Sequence, residues 1–277
     1  MHRWRYEEGG SLFCGEPTRY PAGPRASAEI SRLTARQTSQ SRRRTRNADE
    51  LGIDRLSSMR TVAIIQARMT SSRLPGKVLA DLNGVPLLVY MIGRVRQATS
   101  VDDVWVATTE NSTDDGVVAA CSEIGINVFR GGEFDVLERF LHAAESAKAE
   151  IIIRLTADCP MIDPGLIDQF VTEYQQGDCD YLSNVSKRTY PDGLDVEVFD
   201  IGTLNRAHQQ ASTEYDREHV TSYIYSDRKK TRFKLQHSVF ASDFSHIRWT
   251  VDEQEDLDNI RRILACLPDD FSWMDAL

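Results

Sequence analysis

Apolar residues recur along this chain in two rhythms that exchange at regular intervals. "TVAIIQA" (61–67) is a continuous apolar run, the mark of a strand buried on both faces. "VPLLVYMIGRVRQA" (85–98) follows with apolar residues at helical spacing. A second strand is predicted at "DDVWVATT" (102–109), then a helix over "STDDGVVAACSEIG" (112–125) with Ser112 or Thr113 as its N-cap. "INVFRGG" (126–132) reads as a third strand and "VLERFLHAAESA" (136–147) as a strongly amphipathic helix. "EIIIRLTAD" (150–158) reads as a fourth strand ending in Asp158. "DPGLIDQFVTEYQQ" (163–176) is a helix with Pro164 in its first turn, and "DYLSN" (180–184) is a short fifth strand.

Apolar strands alternating with helices of about a dozen residues predict an α/β fold with a doubly wound, mainly parallel sheet. After about residue 185 the rhythm changes. "LDVEVFDI" (194–201) alternates, as an antiparallel or edge strand should. Helices are predicted near 202–211 and 215–226, and another alternating strand near 232–240. "IRWTVD" (247–252) and a helix over 253–266 close the pattern. The expected architecture is one domain over 59–277, with an α+β insertion at 185–245 for acceptor or dimer contacts.

Residues 1–58 follow neither rhythm. They hold eleven Arg and no Lys against seven acidic residues, a net +4, and are rich in Ser, Thr and Pro. Such a segment reads as a disordered basic tail. The competing readings are an over-extended start with Met59 as initiator, or a targeting peptide, against which its acidic residues count. The remaining residues carry a net charge of -13. A body that acidic excludes non-specific nucleic-acid binding, so anionic ligands must meet local clusters of cations. No run reaches the ~18 apolar residues of a membrane span. The five cysteines are scattered without a CxxC pair, as expected of reduced thiols in a cytoplasmic protein.

Ligands of open α/β sheets bind beyond the carboxyl ends of the strands. Here those ends carry the loop 67–77, Thr108 and Thr109, Arg130 with Gly131 and Gly132, Asp158, and Asp252. The loop, within "IIQARMTSSRLPGK", sets Arg68, Arg73 and Lys77 inside ten residues. It is neither a Walker A loop nor GxGxxG. Arg68 still offers a planar fork and Lys77 a mobile point charge, both suited to phosphate. Ser71 and Ser72 add hydroxyls, and Pro75–Gly76 fix the turn; the plainer reading is a solvated basic loop. In "RLTADCP" (154–160), Asp158 suits Mg²⁺, which takes one or two carboxylates plus substrate phosphate oxygens. Alternatively Asp158 caps the next turn. Cys159 lacks a paired base and reads as a buried small residue. In "RWTVDEQEDL" (248–257), Asp252 is either an N-cap paired with Glu255 or a second strand-end carboxylate that the fold brings near Asp158.

These segments, "QARMTSSRLPGKVL", "VATTE", "RLTADCPMIDP", "RTYPDGLDVEVF", "REHVTSYIY" and "RWTVDEQEDL", together resemble the cytidylyltransferase family. The likeness is to the spore coat polysaccharide biosynthesis protein SpsF group and, more distantly, to the acylneuraminate and 3-deoxy-manno-octulosonate cytidylyltransferases. It runs over roughly 61–265. It implies a nucleotide-diphospho-sugar transferase-like fold and transfer of CMP from CTP to a sugar acid or sugar phosphate, in polysaccharide or glycoconjugate biosynthesis. By the same resemblance, Ala67 and Arg68 lie by the base and phosphates, and Ser72, Arg73 and Lys77 along the triphosphate. Thr108 sits near the base or ribose, and Asp158 and Asp252 hold Mg²⁺. Arg68, Lys77 and Asp158 carry catalysis, and the enzyme pairs as a homodimer.

The acceptor side is expected in the insertion. "RTYPDGLDVEVF" offers Arg188, Asp192, Asp195 and Glu197, the last two on one face of a strand. Asn184 closes the preceding strand, and "EYDREHVTSYIY" adds Arg217, Glu218 and His219. The bland alternatives are a dimer interface, a salt-bridge cluster and a structural histidine. Two other functions compete. A glycosyltransferase would want a DXD metal motif, formally met by "DCD" (178–180) and "DLD" (256–258). A non-catalytic nucleotide-binding subunit is the third.

Overall fold

The structure is a computed structural model, and it describes residues 59–226 and 233–277. The expectations for 1–58 lie outside the described residues. The elements run β1 (Thr61–Gln66), β2 (Asp81–Leu82), β3 (Val85–Pro86), α1 (Leu87–Val95), β4 (Asp103–Thr109), α2 (Asp115–Glu123), β5 (Asn127–Gly131) and α3 (Val136–Ser146). They continue with β6 (Ile151–Thr156), α4 (Pro164–Gln176), β7 (Tyr181–Ser183), β8 (Glu197–Asp200), α5 (Ile201–Gln210), α6 (Glu214–Glu218), α7 (Ser222–Tyr225), β9 (Leu235–His237) and α8 (Gln254–Leu264).

Seven strands form one sheet in the order β5-β4-β1-β6-β8-β7-β9, and β2–β3 is a separate hairpin. Strands β5, β4, β1 and β6 are parallel, while β8 runs antiparallel to both its neighbours. The doubly wound, mainly parallel sheet is therefore present. The apolar run of β1 is explained by its place between β4 and β6. Ala63 and Ile65 join the core on one face, and Val62 and Ile64 the core on the other. Each such buried aliphatic side chain contributes about 1.5–3 kcal/mol. Side-chain caps start the helices: Asp135 accepts from Glu138 N at 2.9 Å and Asp163 from Leu166 N at 2.9 Å, with Pro164 just inside.

Four expectations need correction. "IRWTVD" forms no strand beyond an isolated bridge between Asp192 and Arg248. Its N–H groups go elsewhere: Trp249 to Asp192 O at 2.6 Å and Val251 to Asp158 O at 2.8 Å. The 215–226 helix breaks into α6 and α7 at Val220, whose φ is 53°. A β-branched residue there is a strained turn. Ser112 and Thr113 do not cap α2. Asp114 holds that position, and its carboxylate turns inward instead. Asp252 does not cap α8 either: Glu253 does, and Asp256 accepts from the backbone N–H of both Asp252 and Glu253. Of the strand near 232–240, the described residues contribute β9, parallel to β7. Among the described residues no helix is long and apolar enough to cross a membrane.

Candidate active site

The chain leaves β1 to build β4 and β5 on one side, then returns to lay β6 on the other. Such a reversal opens a crevice at the carboxyl ends of the strands. A cavity of about 370 Å³ lies there, lined by the loop after β1, by Thr156–Asp158 after β6, by Asp252, and by residues of α3 and the end of α6. Val78 on one wall belongs to one core, and Val136 on the other wall to the second. The cavity thus opens between the two layers that sandwich the sheet.

The loop is fixed from its own backbone outward. Gly76 N–H and Ser71 N–H both donate to Met69 O, at 2.9 and 3.0 Å. Gly76 has φ 75°, which a glycine adopts without strain. Met69 N–H donates to Asp114 at 2.8 Å, and Thr108 Oγ1 donates to the same carboxylate at 3.0 Å. Asp114 therefore ties the loop to the end of β4.

Lys77 is 8% exposed, and its Nζ donates to Asp252 Oδ1 at 2.9 Å, Asp158 Oδ2 at 3.2 Å and Val251 O at 2.7 Å. Arg73 reaches Asp252 at 2.8 Å, and Arg248 pairs with Asp252 and Asp256. Burial pushes the Asp158 carboxyl up, but Lys77 and hydrogen bonds outweigh it and hold it below its ordinary value. Arg68 is half-exposed and stands 3.9 Å from Glu133. Burial and the charge of Asp158 raise the Cys159 thiol well above its usual value, so it stays a neutral, buried group.

Ala67, Arg68, Ser72, Arg73, Lys77, Asp158, Asp252 and His219 line the same cavity. The structure does not bring the others there. Thr108 is buried against Asp114. Asn184 is a main-chain staple, donating to Leu194 O at 2.8 Å and accepting from Val196 N at 3.0 Å. Asp195 is held by both Nη atoms of Arg188, and burial outweighs that pairing to raise its carboxyl. Glu197 is buried under Arg154, Tyr181 and Thr221. Arg217 is turned to Asp135 and to His208 O. Six lining residues were missed: Gln66, Val78, Val136, Arg139, Thr156 and Ala157. Arg139 had a signal: it sits on the apolar stripe of "VLERFLHAAESA", between Val136 and Phe140.

Among the described residues no group of three or more His, Cys, Asp and Glu could hold a metal by itself. The Asp158–Asp252 pair nevertheless fits a small cation, because both carboxylates already close on one, the Lys77 ammonium. Two carboxylates leave coordination positions for phosphate oxygens, as Mg²⁺ prefers.

A mainly parallel α/β sheet with cations, Asp158 and Asp252 around one crevice has the charges to suit a phosphorylated ligand. The chain belongs to the cytidylyltransferase family, whose description, Cytidylyltransferase, matches residues 62–271. It is 37% identical over 207 residues to the spore coat polysaccharide biosynthesis protein SpsF of Bacillus subtilis, covering 72% of this chain and 84% of that protein. It is 28% identical over 249 residues to a 3-deoxy-manno-octulosonate cytidylyltransferase of Anaeromyxobacter, covering 76% and 99%. A solved cytidylyltransferase from Leptospira borgpetersenii superposes with a TM-score of 0.74 at 34% identity, covering 79% of this chain and 92% of that one.

Proposed function

We propose that this cytidylyltransferase transfers CMP from CTP to a sugar acid or sugar phosphate and releases pyrophosphate, for the synthesis of a surface polysaccharide or glycoconjugate. One observation carries the reading: Lys77 Nζ lies 3.2 Å from Asp158 and 2.9 Å from Asp252, so a loop cation and two carboxylates from distant parts of the chain meet at one point. A loop alone would only bind a triphosphate. Cations beside metal-binding carboxylates also support its cleavage.

The chemistry is positioning and charge neutralisation. Arg68 and Arg73 hold phosphate oxygens through their planar forks, and Ser72 adds a hydroxyl donor. Lys77, held in place by Asp158, Asp252 and Val251 O, offsets charge that builds on the departing pyrophosphate. Asp158 and Asp252 hold a divalent cation such as Mg²⁺, which supplies charge neutralisation at the phosphates when bound. Ala67 leaves room beside the loop for the nucleotide. Glu218 and His219, at the end of α6, face the incoming acceptor. The expected setting is a cytoplasmic homodimer.

The glycosyltransferase reading loses its motifs in the fold. Asp178 and Asp180 precede β7 and pair with Lys234 and Arg206, and neither lines the cavity. Asp256 is held by Arg248 and Asp258 by Arg261 on α8. The deciding experiment incubates the protein with each NTP, Mg²⁺ and a panel of sugar acids and sugar phosphates. Pyrophosphate should appear with CTP and an acidic sugar. Consumption of a nucleotide sugar without pyrophosphate would favour the glycosyltransferase, and CTP binding with no turnover across the panel would favour a non-catalytic subunit.

A further inference from the structure

The α3 wall of the cavity carries a guanidinium that forms no direct ion pair among the described residues. Arg139 is 3% exposed and lines the cavity beside Val136. Its Nη1 donates to the carbonyl oxygens of Gly132 and Glu133, and its buried Nε has no partner. Three acids stand near it and attract it, but the hydrogen bonds each accepts come from other groups. Asp114 accepts from Met69 N, Thr108 and Thr109. Asp135 accepts from Arg217 and Glu138 N. Glu133 accepts from Thr70 and Asn111. Burial first, then the positive charge of Arg68, draws the Arg139 guanidinium below its usual value, and those acids offset only part of the effect. A buried charge left unpaired is costly, so the fold should supply an anion or not bury the group.

The cavity has two ends of different character. Arg73, Lys77, Asp158 and Asp252 are mutually paired at one end. Val136, Arg139, Glu218 and His219 come from the opposite layer. In-line displacement sets the attacking and leaving oxygens on opposite sides of phosphorus. With pyrophosphate leaving toward the paired end, the acceptor approaches along α3 and α6. Resting on the nucleotidyl-transfer reading above, we infer that Arg139 docks an oxyanion of the acceptor, a carboxylate or a phosphate, and so restricts the acceptor to acidic sugars. A guanidinium suits both anions through its donor fork. The competing role is a clamp on the Gly132–Glu133 turn, through the two carbonyl bonds.

The test compares wild type, Arg139→Lys and Arg139→Met. Each is saturated with CTP and Mg²⁺, then titrated calorimetrically with inorganic phosphate, with D-gluconate and with neutral glucose. Wild type should bind the two anions and not glucose. Arg139→Met should weaken anion binding about tenfold to a hundredfold, the span for one charge-assisted contact. Arg139→Lys, which keeps the charge, should stay within about threefold of wild type, while CTP affinity is equal in all three. A thermal melt checks folding, and Arg139→Gln replaces the Met variant should that one not fold. Anion binding absent from wild type, or unchanged in Arg139→Met, overturns the inference. CTP affinity that falls with Arg139→Met also overturns it, by assigning Arg139 to the nucleotide. Wild type that fails to bind CTP overturns the nucleotidyl-transfer reading first, a separate result.

Discussion

Two arginines lie near the carboxyl edge of the sheet, Arg139 buried and Arg154 part-buried, and the protein treats them in opposite ways. Arg154 on β6 meets Glu197 directly, donates to Gln66 Oε1 at 2.9 Å, and lies 3.5 Å from Thr221 Oγ1. Glu197 in turn accepts from Tyr181 and from Thr221 at 2.6 Å. Burial lowers the Arg154 guanidinium, yet Glu197 more than reverses this and the net direction is up. Arg139 on α3 has the burial without the carboxylate, and its net direction is down. The first arginine is part of the core, binding β6, β8 and the α6–α7 junction into one piece. The second is buried, donates to two carbonyl oxygens, and has acids nearby that only partly offset its burial. The difference teaches that burial alone does not set the state of a charge; the strength of the pairing beside it does.

Breaking the matched site should have the largest effect. Glu197→Ala leaves Arg154 buried without its counter-charge and should destabilise the protein by about 3–5 kcal/mol, read from urea unfolding. A loss near zero would mean that Arg154 finds water or another acid, and the contrast with Arg139 would collapse. Next in size is the cluster between the two arginines, where Lys77 joins Asp158 and Asp252. These charges are matched but face the cavity. Lys77→Ala or Asp158→Ala should therefore lower pyrophosphate release about 10²-fold or more, the order seen when one preorganised charge stabiliser is removed. Turnover close to wild type in either variant would remove these residues from the chemistry.

How much of this was legible in the sequence depended on whether a signal was local. The buried run of β1 and the stripe of α3 announce themselves by period, and Pro164 marks its helix start. The loop cations and the strand-end Asp158 were readable because strand ends are where α/β sheets bind ligands. The acceptor side was not. Asp195 and Glu197 look like a polar face, but Arg188 and Arg154 answer them from seven and 43 positions away. Asp252 looked like a cap because "DEQE" offers a cap at Asp252 or at Glu253, and the register fell one residue later. Arg139 was visible as a charge within an apolar stripe, yet only the fold shows that Asp114, Glu133 and Asp135 are all engaged by other groups. Pairing across the chain, not residue type, separated structural charges from available ones.

Exposed charges supply the lower end of the scale. Arg206 pairs with Asp180 at 2.6 Å while 44% exposed, and its guanidinium lies over Phe233 at 4.5 Å. Water screens such a pair, so Arg206→Ala should cost no more than about 1 kcal/mol in urea unfolding. A loss as large as that of Glu197→Ala would mean that exposure does not separate the two classes.

The smallest effect is expected at Asp275, in the last turn of the chain. Its carboxylate accepts from Ser272 N and Ser272 Oγ, both at 2.8 Å, and these bonds hold it below its ordinary value of 3.8. A carboxyl lowered on folding stabilises the folded state only when ionised. Its contribution is present above pH 3.8 and fades as pH falls through the lowered value. Asp275→Asn should therefore lower the melting temperature slightly at pH 7, and the gap from wild type should close as the pH falls through the lowered value. A gap that persists in acid would show that the amide, not the lost charge, causes it.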